Sequence, residues 1–354
     1  MADERVLSDR AGPGARAGSS LQREEARAFT PSGFRPRLPW LGGDLQTLRN
    51  FLRRPPVDLA PWPGERLELP MRDGSGDRLV ACLHHRRDGN RGLVVLVHGL
   101  TGCEDSFYLR LSARHWLRSG YGVLRLNLRG AGPSRPLCRS QYHAGRSADL
   151  RDALHALAVV SGRIFDRGVY LIGYSLGGNL LLRFLAEEAG AFPVVAAASV
   201  SAPIDLKAAQ RRIMEPRNWV YHRYLLARMR DEALAAPVSR SPAEKRTIAG
   251  VANVYDFDDR VVAPANGFDG ADDYYARCSG LRFLPQIGTP TLVIHAEDDP
   301  WIPNLAYRRF DWSANPSLAL AMPAKGGHVG FHGGERDTPW HDSEIARFFS
   351  FVTA

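Results

Sequence analysis

Three residues of reactive type stand in a useful order along the chain: Ser175, Asp299 and His328. A serine hydroxyl is a weak nucleophile until a neighbouring base takes its proton, and the base needs a third group to orient it and to steady the charge it gains. The serine lies in Gly173-Tyr174-Ser175-Leu176-Gly177, with an apolar, β-forming run at 169–172 before it and an apolar helical run at 180–185 after it. A G-x-S-x-G between a strand and a helix is a sharp turn that lifts the hydroxyl over a helix N-terminus, where free N–H groups and the helix dipole favour negative charge. Glycine is needed on both sides because the turn has no room for a side chain there. The chemistry this permits is acyl transfer to the serine oxygen.

The partners follow apolar runs of their own. Residues 291–295 lead into Asp298-Asp299-Pro300-Trp301-Ile302-Pro303, and residues 318–322 lead into Gly326-Gly327-His328-Val329-Gly330. Nucleophile, acid and base thus occur in that chain order, each just past a candidate strand. His328 is the expected base, because its small neighbours let a loop histidine reach inward, and His332 is its local rival. Asp299, which precedes Pro300 and stands four residues before Pro303, is favoured as the acid over Asp298, although either also suits a loop tip. A tetrahedral intermediate needs two backbone N–H donors for its oxyanion. The expected donors are Leu176, next to the nucleophile, and Leu100, in the His98-Gly99-Leu100 loop after an earlier strand. His98 reads as a supporting hydrogen-bonder at a strand end, Asn127, Arg129 and His143 as braces of neighbouring loops, and Cys103 as a small filler.

These loops need a frame. Candidate strands at 65–69 and 78–84 flank a turn, Asp73-Gly74-Ser75-Gly76, and read as a hairpin. The continuous apolar run 93–97 has the pattern of a strand covered on both faces. Further strands are expected at 122–126, 169–172, 194–200, 291–295 and 318–322, with helices at 106–118, 146–160 and 343–351. Such alternation implies parallel βαβ units. Between 205 and 285 the rhythm breaks into helical patches, at 206–214 and 219–234, and an irregular part rich in Asp, Tyr and Gly. The expected division is a disordered tail over 1–28, an N-terminal arm over 29–64 with a short helix near 44–52, a core over 65–204, a mostly helical cap insertion over 205–285, and the rest of the core over 286–354.

Composition bounds the function. At 354 residues, 44% hydrophobic and 24% charged, the chain has the make-up of a soluble globular enzyme. The net charge of +8 comes almost wholly from scattered arginine, with only Lys207, Lys245 and Lys325 as lysines. No basic run interleaves with aromatics, so no nucleic-acid partner is expected. The four cysteines show neither paired nor metal-ligand spacing and read as free thiols. The start, Met-Ala-Asp-Glu-Arg-Val, has no apolar signal core, and no run approaches the length of a membrane span, so no stable membrane insertion and a cytoplasmic location are expected. No HExxH and no phosphate-binding glycine loop occur, so neither metal nor cofactor is expected.

The chain resembles the α/β-hydrolase superfamily and, within it, the YheT-like branch, also called the AB-hydrolase 4 family. The matching segments are Leu38-Pro39-Trp40 through Leu45-Gln46-Thr47-Leu48, V-H-G-L-T-G from Val97, N-L-R-G from Asn127, Y-H-A-G from Tyr142, G-Y-S-L-G-G-N from Gly173, D-D-P-W-I-P from Asp298 and G-G-H-V-G-F from Gly326. Phe257-Asp258-Asp259, Asn266-Gly267-Phe268 and Asp273-Tyr274-Tyr275 resemble the family's cap. The resemblance implies an α/β-hydrolase fold, with a mostly parallel central sheet of about eight strands, helices on both faces and the cap. It implies a serine hydrolase of carboxylic esters with Ser175, Asp299 and His328 as its triad. The favoured expectation is a short- to medium-chain carboxylesterase acting on a small-molecule or lipid ester. The rivals are an acylglycerol lipase or phospholipase with the same triad, and a non-catalytic binding protein on the same fold. Trp219, Tyr221, Tyr224, Tyr274 and Tyr275 are candidates to line an acyl pocket.

Overall fold

The hairpin turn at 73–76 joins β1 (Gly64–Pro70) to β2 (Arg78–His84), which pair antiparallel from Gly64 opposite His84 to Pro70 opposite Arg78. The apolar runs that follow become β3 (Leu93–Val97), β4 (Gly122–Leu126), β5 (Val169–Tyr174), β6 (Val194–Val200), β7 (Thr291–Ile294) and β8 (Leu318–Ala321). They form one eight-stranded sheet in the order β1-β2-β4-β3-β5-β6-β7-β8. β2 meets β4 antiparallel, and every pair from β4 to β8 is parallel. This is the expected α/β-hydrolase sheet. The computed structural model describes residues 26–85, 91–334 and 338–354. Most of the expected N-terminal tail lies outside them, but residues 26–28 form a helical turn with Ala26 buried.

Helices occur where the apolar period lengthens to about 3.6 residues. Those of eight or more residues are α1 (Gly43–Leu52), α2 (Phe107–Arg118), α3 (Ala148–Val160), α4 (Leu176–Glu187), α5 (Leu206–Ile213), α6 (Trp219–Leu234), α7 (Pro242–Gly250), α8 (Ala271–Cys278) and, after β8, α9 (Trp340–Val352). Alternation along each strand sends side chains to opposite faces. Val95, Val97, Leu124, Leu126 and Leu171 share a core with Leu150 and Leu154 of α3 and Leu180 and Leu181 of α4. Val94, Leu96, Val123, Tyr170 and Ile172 share the other with Trp116 of α2 and Phe348 and Phe349 of α9. Val94 to Val97 are fully buried, which accounts for the unbroken apolar run; each such side chain contributes about 1.5–3 kcal/mol of burial.

α6 and α7, with the end of α5 and the turn after α7, make a layer around a small core of Ile213, Leu225, Leu226, Met229, Ile248 and Phe257, whereas α8 packs on the first core through Ala271, Tyr274, Tyr275 and Cys278. Asp205 caps α5 by accepting the Ala208 N–H at 2.9 Å, and Ser241 and Glu244 close a capping box on α7. The chain makes its β3-to-β4 crossover on one side of β3 and returns to β5 on the other. The loops after the C-terminal ends of β3, β5, β7 and β8 therefore gather over the centre of the sheet, where parallel α/β sheets hold their ligands.

Candidate active site

The turn after β5 is tight, and its glycines are required by close approach. A methyl at Gly177 would run into the carbonyl oxygens of Val97 and His98, and one at Gly173 would meet the backbone of Gly177 and Gly178. Ser175 is held at φ 52° and ψ −123°, in a region that side chains avoid at a cost of order 1–3 kcal/mol. Two hydrogen bonds fix it there: its N–H donates to the Val200 carbonyl at 2.8 Å, and its carbonyl accepts from Asn179 N–H at 3.1 Å. α4 begins at the next residue, so its N-terminus lies under the serine hydroxyl, and the helix starts earlier than the apolar run at 180–185 suggested.

His328 bridges two partners. Its Nε2 lies 2.9 Å from Ser175 Oγ and its Nδ1 2.8 Å from Asp299 Oδ2. The other carboxylate oxygen of Asp299 accepts the N–H groups of Trp301 at 2.8 Å and Ile302 at 3.0 Å. His328 and Asp299 are both buried, and the Trp301 ring stacks on the imidazole at 4.4 Å. Burial would raise the Asp299 carboxyl, but the charge and hydrogen bond of His328, with His295 and the Trp301 N–H, hold it below its ordinary value. Asp298 points elsewhere: its Oδ1 accepts the Gly327 N–H at 2.9 Å and so braces the histidine loop from behind. His332 is buried against Asn50, with Nε2 3.0 Å from Asn50 Oδ1, and burial pushes it down to about 2.

The N-terminal arm reaches this loop, which the sequence reading missed. Thr47 Oγ1, on α1, accepts the His328 N–H at 2.8 Å and donates to the Gly43 carbonyl at 2.7 Å. Asn50 donates to the Val329 carbonyl at 2.9 Å, and Gln46 both donates to the His332 carbonyl and accepts its N–H. The sequence signal was the resemblance of Leu45-Gln46-Thr47-Leu48 to a family segment, which gave these residues no role.

The loop after β3 runs beside the serine. Gly99 N–H donates to Tyr108 Oη at 2.9 Å and Thr101 N–H to Tyr142 Oη at 2.7 Å. Between them the Leu100 N–H has no partner among the described residues, and neither has that of Leu176 at the first position of α4. His98 braces the loop. Its Nδ1 lies 2.7 Å from the Gly99 carbonyl, its Nε2 accepts the Leu128 N–H at 3.0 Å, and burial lowers it to about 4, so the ring is neutral. Arg129 is buried among Asp77, Asp149 and Asp73, and Asn127 links Val80 to Glu104. Both brace loops. Among the described residues no group of three or more His, Cys, Asp or Glu side chains gathers as a metal site.

Above Ser175 and His328 opens a cavity of about 860 Å³, roofed by the helical layer through Ile213, Leu225, Met229 and Phe257. Of the five aromatics expected there, Tyr224, Tyr274 and Tyr275 line it. Trp219 is exposed to solvent, and Tyr221 packs edge-on against Trp301 at 5.3 Å. Its size is that of a pocket for a drug-sized ligand.

The family described as alpha/beta hydrolase fold matches residues 92–335. Over 333 residues the chain is 33% identical to YheT of Escherichia coli (strain K12), which carries a provisional esterase name, covering 92% of this chain and 96% of that one. It is 28% identical over 297 residues to medium-chain fatty acid ethyl ester synthase/esterase 2 of Saccharomyces cerevisiae, covering 76% and 64%, and 28% identical over 248 residues to phospholipase ABHD3 of Mus musculus, covering 68% and 58%. The chain thus spans less than two thirds of those two eukaryotic relatives. Among solved structures, esterase Pf2001 of Pyrococcus furiosus superposes with a TM-score of 0.57 at 16% identity, over 85% of this chain and 97% of that one. Sheet, crossover and sequence agree: the chain belongs to the α/β-hydrolase family, in its YheT-like branch of esterase- and lipase-type hydrolases.

Proposed function

We propose that this protein hydrolyses carboxylic esters of short to medium acyl chain through an acyl-enzyme on Ser175. His328 takes the Ser175 proton as the hydroxyl attacks the ester carbonyl, and Asp299 orients the ring and stabilises the imidazolium that forms. The N–H groups of Leu100 and Leu176 receive the oxyanion. His328 then protonates the departing alcohol, and a water molecule, activated by the same histidine, releases the acid and frees the serine. The observation that carries this reading is the buried His328 bridging Ser175 Oγ at 2.9 Å and Asp299 Oδ2 at 2.8 Å on the floor of a ligand-sized cavity. Four unpaired cysteines favour a reducing, cytoplasmic setting.

A lipase or phospholipase with the same triad is the second reading, favoured by the apolar cap wall of the cavity and by relatives named for lipid esters. No helix among the described residues is long and apolar enough to cross a membrane. The test is turnover of p-nitrophenyl esters from acetate to palmitate, with Ser175→Ala beside the wild type. Serine-dependent activity peaking at short or medium chains supports the esterase; a peak at palmitate supports the lipase. No Ser175-dependent turnover, together with no labelling by a fluorophosphonate, would return the chain to a binding protein on a hydrolase fold.

A further inference from the structure

The loop after β3 is held at both ends by tyrosine hydroxyls, and one of these is tied to the cap. Gly99 to Gly102 form a tight turn closed by the Gly102 N–H on the Gly99 carbonyl at 3.1 Å. Thr101, in its second half, has φ 55°, a conformation that suits glycine. A β-branched residue does not stay there unaided. What holds it is the 2.7 Å bond from its N–H to Tyr142 Oη. That hydroxyl donates its own proton to Glu232 Oε2 at 3.0 Å, and Gln141 Nε2 approaches the same oxygen at 3.4 Å. Tyr142 is buried, its backbone N–H donates to the Arg129 carbonyl at 2.8 Å, and its ring packs edge-on against His98 at 5.8 Å. Glu232 belongs to the last turn of α6, in the cap, whereas the other three belong to the core.

We propose that Tyr142 and Glu232 are positioning residues that set the Leu100 N–H for the oxyanion, so that the oxyanion site is complete only when α6 is seated on the core. The proposal rests on the serine-hydrolase reading above. The peptide plane between Leu100 and Thr101 carries the N–H that Tyr142 holds, and it adjoins the plane whose N–H is left for a ligand. Rotating the first rotates its neighbour. A phenylalanine at 142 leaves the Thr101 N–H without a partner and the left-handed turn without its tether. An alanine at 232 leaves the Tyr142 hydroxyl free to swing from its line. Burial pushes the Glu232 carboxyl up to about 7, against the pull of its hydrogen bonds from Tyr142 and Gln141 and of Arg228 and Arg135 nearby. Glu232 itself is half-buried, and its bond to the buried Tyr142 hydroxyl is shielded from solvent in part.

The test uses the full chain, with Tyr142→Phe, Glu232→Ala, Glu232→Gln, the Tyr142→Phe/Glu232→Ala pair and Ser175→Ala. Active sites are counted by fluorophosphonate titration, so that kcat refers to folded sites alone. Removing an oxyanion donor outright costs roughly 100- to 1,000-fold in kcat, so misaiming one is expected to cost about 10- to 30-fold. KM for p-nitrophenyl butyrate should stay within about twofold, while affinity for a butyl boronic acid, which places a charged oxygen in the same site, falls in step with kcat/KM. Glu232→Gln keeps an acceptor oxygen and should restore most of the rate, and the double variant should lose no more than the worse single one. A purely structural role would lower the melting temperature and the number of titratable sites but leave per-site kcat and boronate affinity unchanged, and that result overturns the proposal. If Ser175→Ala retains turnover, the serine-hydrolase reading falls and the proposal with it. If Ser175→Ala is inactive while Tyr142→Phe has wild-type per-site kcat, the proposal falls alone.

Discussion

Replacing Thr47 by valine keeps the volume of the side chain and removes one oxygen. That oxygen is the partner of the buried His328 N–H at 2.8 Å, and its own proton goes to the Gly43 carbonyl, an ordinary bond back along the helix. Losing the second bond is nearly neutral, since it frees a helical carbonyl that other groups already serve. The first loss strands a buried donor, at about 1–3 kcal/mol. The open question is where that cost falls. If the histidine loop stayed rigid, it would appear as stability alone, as a melting temperature lower by a few degrees. The loop has an easier response, because Val329 and Phe331 beside it hold φ of 54° and 51°, and it can relax away from its active shape. A cost of 1–3 kcal/mol spent on displacing His328 from Ser175 corresponds to a loss of about 5- to 150-fold in kcat per titrated site, with KM little changed. Thr47→Ser, which restores the hydroxyl without the methyl, should recover most of the rate. The assay is p-nitrophenyl butyrate turnover normalised by fluorophosphonate titration, with a thermal melt on the same samples. Unchanged kcat and melting temperature in Thr47→Val would refute the reasoning, and Thr47→Ser as impaired as Thr47→Val would show that the methyl packing mattered and the hydrogen bond did not.

Asp299→Asn should lower per-site kcat by about 10⁴, because the amide leaves His328 in the wrong tautomer, whereas Asp298→Asn keeps an oxygen for the Gly327 N–H and should cost less than tenfold; equal losses in a side-by-side assay would overturn the division of labour. Gly177→Ala puts a methyl into the carbonyls at the end of β3, so soluble yield and titratable sites should both collapse, and a well-folded, active variant would contradict the packing described for the turn. Stability should peak near pH 6.5. Burial holds His98, His115 and His295 at about 4, His143 and His341 at about 3 and His332 at about 2, so below about 6.5 the unfolded chain binds more protons and stability rises with pH. Burial also lifts Glu232, Asp258 and Asp342 to about 7, and their contribution, complete below about 4, is lost as pH rises through 7. The six histidines outnumber the three carboxyls, so the urea midpoint should climb from about pH 4.5 to 6.5 and then turn down; a steady rise beyond pH 8 would refute the assignment.

What could be read from the chain was what is local. A five-residue apolar run such as Leu93–Val97 declares a doubly covered strand by itself, and Gly173 to Gly177 declare a tight strand-to-helix turn by themselves. The order of Ser175, Asp299 and His328 then follows from which strand each residue leaves. The supports were hidden because they are bonds between distant positions of ordinary type. Thr47 and His328 are 281 residues apart, and Tyr142 and Glu232 are 90 apart. A threonine in an arm and a glutamate in a helix carry no local mark of either bond. Asp298 and Asp299 could be ranked only by the prolines after them, because the turn that aims one carboxylate at His328 and the other at Gly327 depends on the Trp301 and Ile302 N–H groups folding back. The helix of the elbow was read late, at 180 rather than 176, because its first turn is Leu-Gly-Gly-Asn, and glycine there serves approach to β3 at the expense of helix propensity.

The backbone carries the same division between reacting groups and their supports. Among the described residues five non-glycine positions hold left-handed φ: Thr101, Ser175, Ser201, Val329 and Phe331. All five lie in loops just beyond the C-terminal ends of β3, β5, β6 and β8. At roughly 1 kcal/mol or more each, this is strain gathered at one end of the sheet, and it persists only while something over-determines it. Each is tied: Thr101 to Tyr142, Ser175 to Val200, Ser201 to Ile294 and, through its hydroxyl, to Val329, and Phe331 to Gly326. Ser175 and Ser201 are tied to strands β6 and β7 and Thr101 and Phe331 to neighbouring loops, while α1 clasps the histidine loop through Thr47 and Asn50, and α6 reaches the β3 loop through Glu232. A strained loop released at one tie relaxes locally, at less cost than unfolding the sheet beneath it. Substitutions in the arm and the cap should therefore reach the rate before they reach the melting temperature, and an enzyme of this build can lose its activity while its eight strands stay in register.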